Sequence, residues 1–163
     1  MALEREGASF SLNAVAKEAG VGIGTLYRHF PTREALLVEL YRNERDQLVA
    51  SADELLATTA PEEALRAWCE KLTDQGRRKV GFGDALAQLA SHDQLVAESY
   101  KPIIGALTRL LAANEKARTV RSGVQPDDVL LILSAVWRVP PTPEGDARAT
   151  RMLGLILHGL ARA

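Results

Sequence analysis

SLNAVAKEAGVGIGTLYRHF, residues 11–30, reads as two short helices joined by a glycine turn. Leu12, Val15, Ala16 and Ala19 share one face of the first, with Ser11 as a natural N-cap and Gly20 as a natural C′ residue. The second, residues 22–30, carries small, hydroxyl, aromatic and cationic side chains and stops at Pro31. Two short helices at a tight corner are the frame that sets a helix into the major groove of DNA. Ten residues precede Ser11, short for a complete supporting helix, so the expectation is a gene start lying upstream.

Composition sets the frame around this corner. A chain of 163 residues with 47% hydrophobic and 5% aromatic content suits Leu/Ala-rich helix packing better than an aromatic-rich sandwich. One cysteine, Cys69, excludes an internal disulfide. MALEREGASF has an acidic pair where a signal peptide needs an apolar run, and no window approaches ~20 uninterrupted apolar residues. A cytoplasmic protein with no membrane association is expected. The formal net charge of -1 excludes an indiscriminate basic coat for nucleic acid. Between Gly20 and Arg33, however, there is no carboxylate, so any electropositive face is small and local.

Glycine and proline cut the rest into helix-length pieces, and no segment shows a period of two. Thr32 caps a long helix over residues 33–57, with Leu36, Leu37, Leu40, Leu48, Leu55 and Leu56 on its buried side. TAPE at 59–62 predicts a capping box opening a helix with Leu65, Trp68, Cys69 and Leu72. Residues 76–83 read as a turn-rich break. Helices are then expected over 84–90, over 93–122 with Pro102 bending or splitting it, over 127–139, and from 145 or 146 to 160. The fold class is all-α: a helix-turn-helix module over residues 1–45 and a helical body over 46–163.

Within the corner, Gly22 and Gly24 remove bulk and let backbone approach a duplex. Ile23 suits a thymine methyl, and Thr25 a phosphate or base. Tyr27, Arg28 and His29 supply a phenol, a forked cation and a ring N–H. Ser11 and Arg33 sit at two other helix starts, where a phosphate contact is reasonable. Leu26 and Phe30 belong to the core. The same residues also fit a packing corner, with Tyr27 or His29 stapling it.

The run AVAKEAGVGIGTLYRHFPTREALLVELYRNE resembles the N-terminal domain of the TetR family of one-component bacterial repressors. The pattern G-V-x-x-G-T-L-Y-x-H-F-x-x-[KR]-E-x-L is matched from Gly20 to Leu36. SHDQLVAESYKPIIGALTRLL resembles the family's ligand-binding part. The resemblance implies a homodimer in which an effector changes the spacing of two reader helices. It implies DNA contacts for Thr25, Tyr27 and His29, with Ile23, Gly24 and Arg28 near bases and Ser11 and Arg33 near phosphates. Two departures stand out: the short first helix, and Ile23 where the family often has Lys, with Gly22 in place of the usual capping Ser.

The segment 127–139 is apolar nearly all round, so it is expected to be covered on both sides. Leu130, Leu133 and Trp137, with Leu153, Ile156, Leu157 and Leu160 of the last helix, are the expected dimer interface. Trp68, Leu72, Phe82, Leu86, Leu89, His92, Tyr100, Ile104 and Trp137 are candidates to line a cavity for a largely apolar effector of unknown identity; a plain core is the competing reading. His29, His92 and His158 have no metal-ligand spacing. Glu62/Glu63 and Asp127/Asp128 lie in first helical turns, where the dipole explains them. No metal, cofactor or enzymatic chemistry is expected. The runner-up function is a helical ligand-binding or dimerisation module without DNA binding.

Overall fold

A computed structural model describes residues 11–81 and 92–162, with the side chains of 79–81 and 92–93 excepted. Among these residues there are seven helices: α1 (Leu12–Ala19), α2 (Ile23–His29), α3 (Arg33–Thr58), α4 (Pro61–Gly81), α5 (His92–Ala117), α6 (Pro126–Val136) and α7 (Pro143–Leu160). The expected helix over 84–90 lies outside the described residues.

Local chemistry sets most boundaries. The Ser11 hydroxyl accepts the Asn13 N–H at 3.2 Å, and Gly20 closes α1 at φ 68°, a left-handed conformation that suits glycine. Thr32 caps α3 through the Ala35 N–H at 3.1 Å. Thr142 caps α7 through the Gly145 N–H at 3.1 Å. Pro143 therefore starts α7, and that helix begins before the expected residue 145 or 146.

Four expectations are corrected. Thr59 does not open α4: its hydroxyl donates backward to the Leu55 carbonyl at 2.9 Å and closes α3. Residues 76–81 are helical rather than a break. The Trp137 indole occupies the space a Cβ on Gly76 would fill, with its ring 2.3 Å from that position, so packing holds a glycine inside a helix. Pro102 stays within α5 without splitting it, and α5 ends at Ala117 rather than 122. Arg118 turns left-handed at φ 62°, and the fully buried Asn114 closes the turn by accepting from the Thr119 N–H (3.0 Å) and hydroxyl (2.7 Å) while its amide donates to the carbonyls of Pro61 (2.7 Å) and Leu110 (2.9 Å). α6 stops at Val136, short of 139.

The main core joins α3, α4, α5, α6 and α7 through Leu48, Trp68, Leu72, Leu107, Leu133 and Leu153. Trp68 is fully buried and donates its indole N–H to the Leu48 carbonyl at 2.9 Å, fastening α4 to α3. A smaller cluster of Leu12, Ala16, Leu26 and Leu37 lies under α1 and α2. α3 belongs to both and is continuous across residue 45.

Two polar devices brace these helices. α3 and α5 run parallel, with Arg42 paired to Glu98 at 3.1 Å and Asp53 to Arg109 at 2.8 Å, both across 56 residues. The buried Arg77 of α4 donates to the carbonyls of Val139 (3.1 Å) and Pro140 (2.8 Å) and to Asp146 (2.7 Å), which holds the α6–α7 turn against α4. No helix among the described residues is long and apolar enough to cross a membrane.

Candidate nucleic-acid interface

Sequence decides which side of α2 faces inward. Leu26 is buried against Leu12, Ala16 and Leu37, and Phe30 packs beside them half-buried. Ile23, Gly24, Thr25, Tyr27, Arg28 and His29 are all exposed, Ile23 among them although it stands one turn before Leu26 on the same side of the helix. Ile23 and Tyr27, one turn apart, are 38% and 47% exposed, unusual for large apolar side chains without a partner. A Cβ on Gly24 would meet nothing within 4 Å, so this stretch of α2 presents bare backbone outward.

The electrostatics suit an anionic partner. α2 has no acidic residue in its first turn, and Arg28 and His29 stand in its last. Gly22 supplies no side-chain acceptor to the first N–H groups of α2. Ser11 is exposed at the start of α1, and Arg33 is half-buried at the start of α3. Beside it, the Glu34 carboxyl is held below its ordinary value by the backbone N–H at its helix start and by the Thr32 hydroxyl. The His29 and Phe30 rings lie 6.4 Å apart and tilted, so His29 borders the core without entering it. Val21 was missed by the sequence reading: it is 42% exposed in the turn, next to Ile23. Its only sequence signal was an apolar residue inside a glycine turn.

Residues 2–40 match the family described as bacterial regulatory proteins, tetR family, and residues 60–162 match the C-terminal domain of SbtR-like transcriptional regulators. The chain belongs to the TetR family. A TetR transcriptional regulator from Streptomyces coelicolor is 39% identical, with a TM-score of 0.86 over 99% of this chain and 93% of that one. A TetR regulatory protein from Mycobacterium vanbaalenii is 28% identical, with a TM-score of 0.79 over 98% of this chain and 88% of that one. FadR from Bacillus subtilis, solved in complex with stearoyl-CoA, shares the fold at 18% identity, with a TM-score of 0.65 over 98% of this chain and 94% of that one. Among curated proteins, none matches. As a TetR-family transcriptional regulator the chain carries its DNA-binding helix-turn-helix in α1 and α2.

The residues expected around an effector are divided by the structure. Trp68 and Leu72 are buried in the main core, with Ile104 and Trp137 half-buried against it. Tyr100 is not with them: it is 46% exposed, and its hydroxyl donates to Asp127 on the surface, which also raises its pKa. Phe82, Leu86 and Leu89 lie outside the described residues. So does the side chain of His92, whose backbone begins α5. The Trp137 indole N–H is buried without an acceptor among the described residues.

The expected dimer residues are also redistributed. Leu130, Leu133, Leu153 and Leu160 are buried within the chain's own core, and Ile156 and Leu157 are half-buried. α6 and α7 instead turn Leu131 (71% exposed), Ile132 (53%) and Leu155 (74%) outward. Sequence could not separate the two sets, because α6 is apolar on both faces. Among the described residues no cluster suited to a metal ion occurs.

Proposed function

We propose that this TetR regulator is a repressor that acts as a homodimer on a palindromic operator and is released by a small, largely apolar effector. The observation that carries the DNA-reading part is the sorting of α2. Leu26 anchors the helix, while Ile23 and Tyr27 stand exposed beside the bare backbone of Gly24. Thr25, Arg28 and His29 flank them, with Ser11, Gly22 and Arg33 at helix starts that suit phosphate contacts. The module reads DNA up to about residue 45, within α3, and the remainder holds the effector and the partner subunit.

The exposed face of Leu131, Ile132 and Leu155 is the surface we assign to the partner, so two readers can address two half-sites about 34–36 Å apart. Effector binding shifts the population toward dimers whose readers no longer match that spacing. The protein acts in the cytoplasm as a regulator rather than a catalyst. A mobility-shift assay with the protein and DNA from its own promoter region tests this. A discrete shift resistant to non-specific competitor DNA supports the reading, and its absence at moderate salt overturns it.

A further inference from the structure

Where α5 and α7 end, beside the start of α4 and away from α2, four cations line one shallow cleft. Lys116, Arg118, Arg121 and Arg162 surround about 390 Å³ together with Glu115, Val120 and Ser122. In a chain whose formal net charge is -1, four cations against one carboxylate make a strong local excess. None of the four forms an ion pair among the described residues. Lys116 in the last turn of α5 is accounted for by the helix dipole. Arg118 and Arg162 follow the ends of α5 and α7 by one and two residues, where the dipole still favours a cation, and Arg121 lies four residues past α5.

The backbone beneath them is built. Val120 and Ala161 form an antiparallel bridge, in which the Arg121 N–H donates to the Leu160 carbonyl at 3.1 Å and the Arg162 N–H to the Thr119 carbonyl at 3.0 Å. The Thr119 hydroxyl donates to the side-chain oxygen of buried Asn114 at 2.7 Å, so the platform is tied to the core. Arg118 holds φ 62°, a conformation that side chains other than glycine avoid. Here it closes α5, with the Thr119 N–H donating to the Asn114 carbonyl at 3.0 Å.

We propose that this cleft binds a phosphate-bearing small molecule of nucleotide size. Planar guanidinium forks match phosphate oxygens in pairs, and several unpaired forks on a fixed platform suit a polyphosphate better than a single carboxylate. The cleft is open to solvent, so recognition there rests on the guanidinium groups rather than on enclosure. Val120 offers little apolar wall, so the site is distinct in character from one for an apolar effector. The inference does not depend on DNA reading by α2.

Calorimetric titration of the intact protein with inorganic tripolyphosphate tests it. One saturable site per chain is expected, weakening with added salt. Arg121→Gln combined with Arg162→Gln should weaken binding by about tenfold or more, while Arg148→Gln, at an exposed arginine of α7 outside the cleft, leaves it unchanged. Arg118→Gly supplies a second readout: it should raise the melting temperature by relieving the left-handed backbone, yet weaken binding. Absence of saturable binding, binding indifferent to the cleft arginine substitutions, or binding lost in Arg148→Gln would each overturn the proposal.

Discussion

Arg42 of α3 donates to Glu98 of α5 at 3.1 Å, and three turns further along the same two helices the polarity reverses, with Arg109 donating to Asp53 at 2.8 Å. Both pairs span 56 residues, so a slide of one helix past the other by a turn would break them together. This is how the register between the helix that bears the reader and the centre of the body is held. Glu98 lies below the ordinary carboxylate range, chiefly through the Gln94 side-chain amide and then through Arg42. A lowered folded-state value contributes stability above the unfolded pKa and loses it as pH falls through the folded one. A double-mutant cycle of Arg42→Ala and Glu98→Gln should therefore show coupling near neutral pH and none in acid, below the ordinary carboxylate range. Coupling that persists in acid would assign the contact to packing.

Tyr27→Ala should weaken operator binding by about tenfold while changing stability by no more than about 0.5 kcal/mol, because the side chain is half in solvent. Its neighbour provides the contrast. Leu26→Ala removes a buried anchor of the corner and should cost about 2–5 kcal/mol. Mobility shifts alongside chemical denaturation separate the two, and equal damage from Tyr27→Ala would place the phenol in the core.

Leu131→Glu together with Leu155→Glu should convert the proposed dimer to a folded monomer, since both side chains lie outside the chain's own core. Light scattering coupled to gel filtration reads the change, with circular dichroism as the check on folding. Trp137→Asp should instead unfold the chain, because that ring packs on Gly76 and the core. A dimer undisturbed by the leucine pair would remove this face from the interface.

Gly76→Ala should lower stability by about 1–3 kcal/mol, since the added methyl meets the Trp137 ring and either the ring or α4 must shift. Thermal denaturation monitored by tryptophan fluorescence reports both the loss and the displaced indole. An unchanged emission spectrum and melting temperature would contradict the packing.

Cys69 is buried in the main core, and desolvation pushes its thiol up to about 12. Native protein should resist a thiol-specific chromogenic reagent under mildly alkaline conditions and react at once when unfolded by guanidinium. Rapid modification of the native chain would mean the helix packing around Cys69 opens easily.

Much of this was legible locally. Ser11, Gly20, Thr32 and Pro126 mark helix ends because capping and left-handed turns depend on a few adjacent residues. The face of α2 follows from Leu26 and Phe30 alone. What resisted reading depends on distant partners. Gly76 looks like a breaker until Trp137 is seen against it, 61 positions later. Thr59 can cap forward or backward, and the chain uses it backward. On α6, Leu130 and Leu131 are chemically alike, and only the placement of α4, α5 and α7 decides that the first is covered and the second bare. Arg77 gave no signal at all, since its partners are two backbone carbonyls of a proline-rich turn and an aspartate 69 residues away.

The uninterrupted course of α3 has a mechanical consequence. Its 26 residues make a rod of about 39 Å, rooted among the helices of the body at one end and carrying the α1–α2 corner at the other. A rod of that length converts angle into distance. A tilt of only about 5° at its root swings the far end by about 3 Å, close to the rise of one base pair along a duplex. On the repressor reading proposed above, an effector would not need to deform α1 or α2: a small change in how α4 and α5 seat the root of α3 would put an intact reader out of step with its groove.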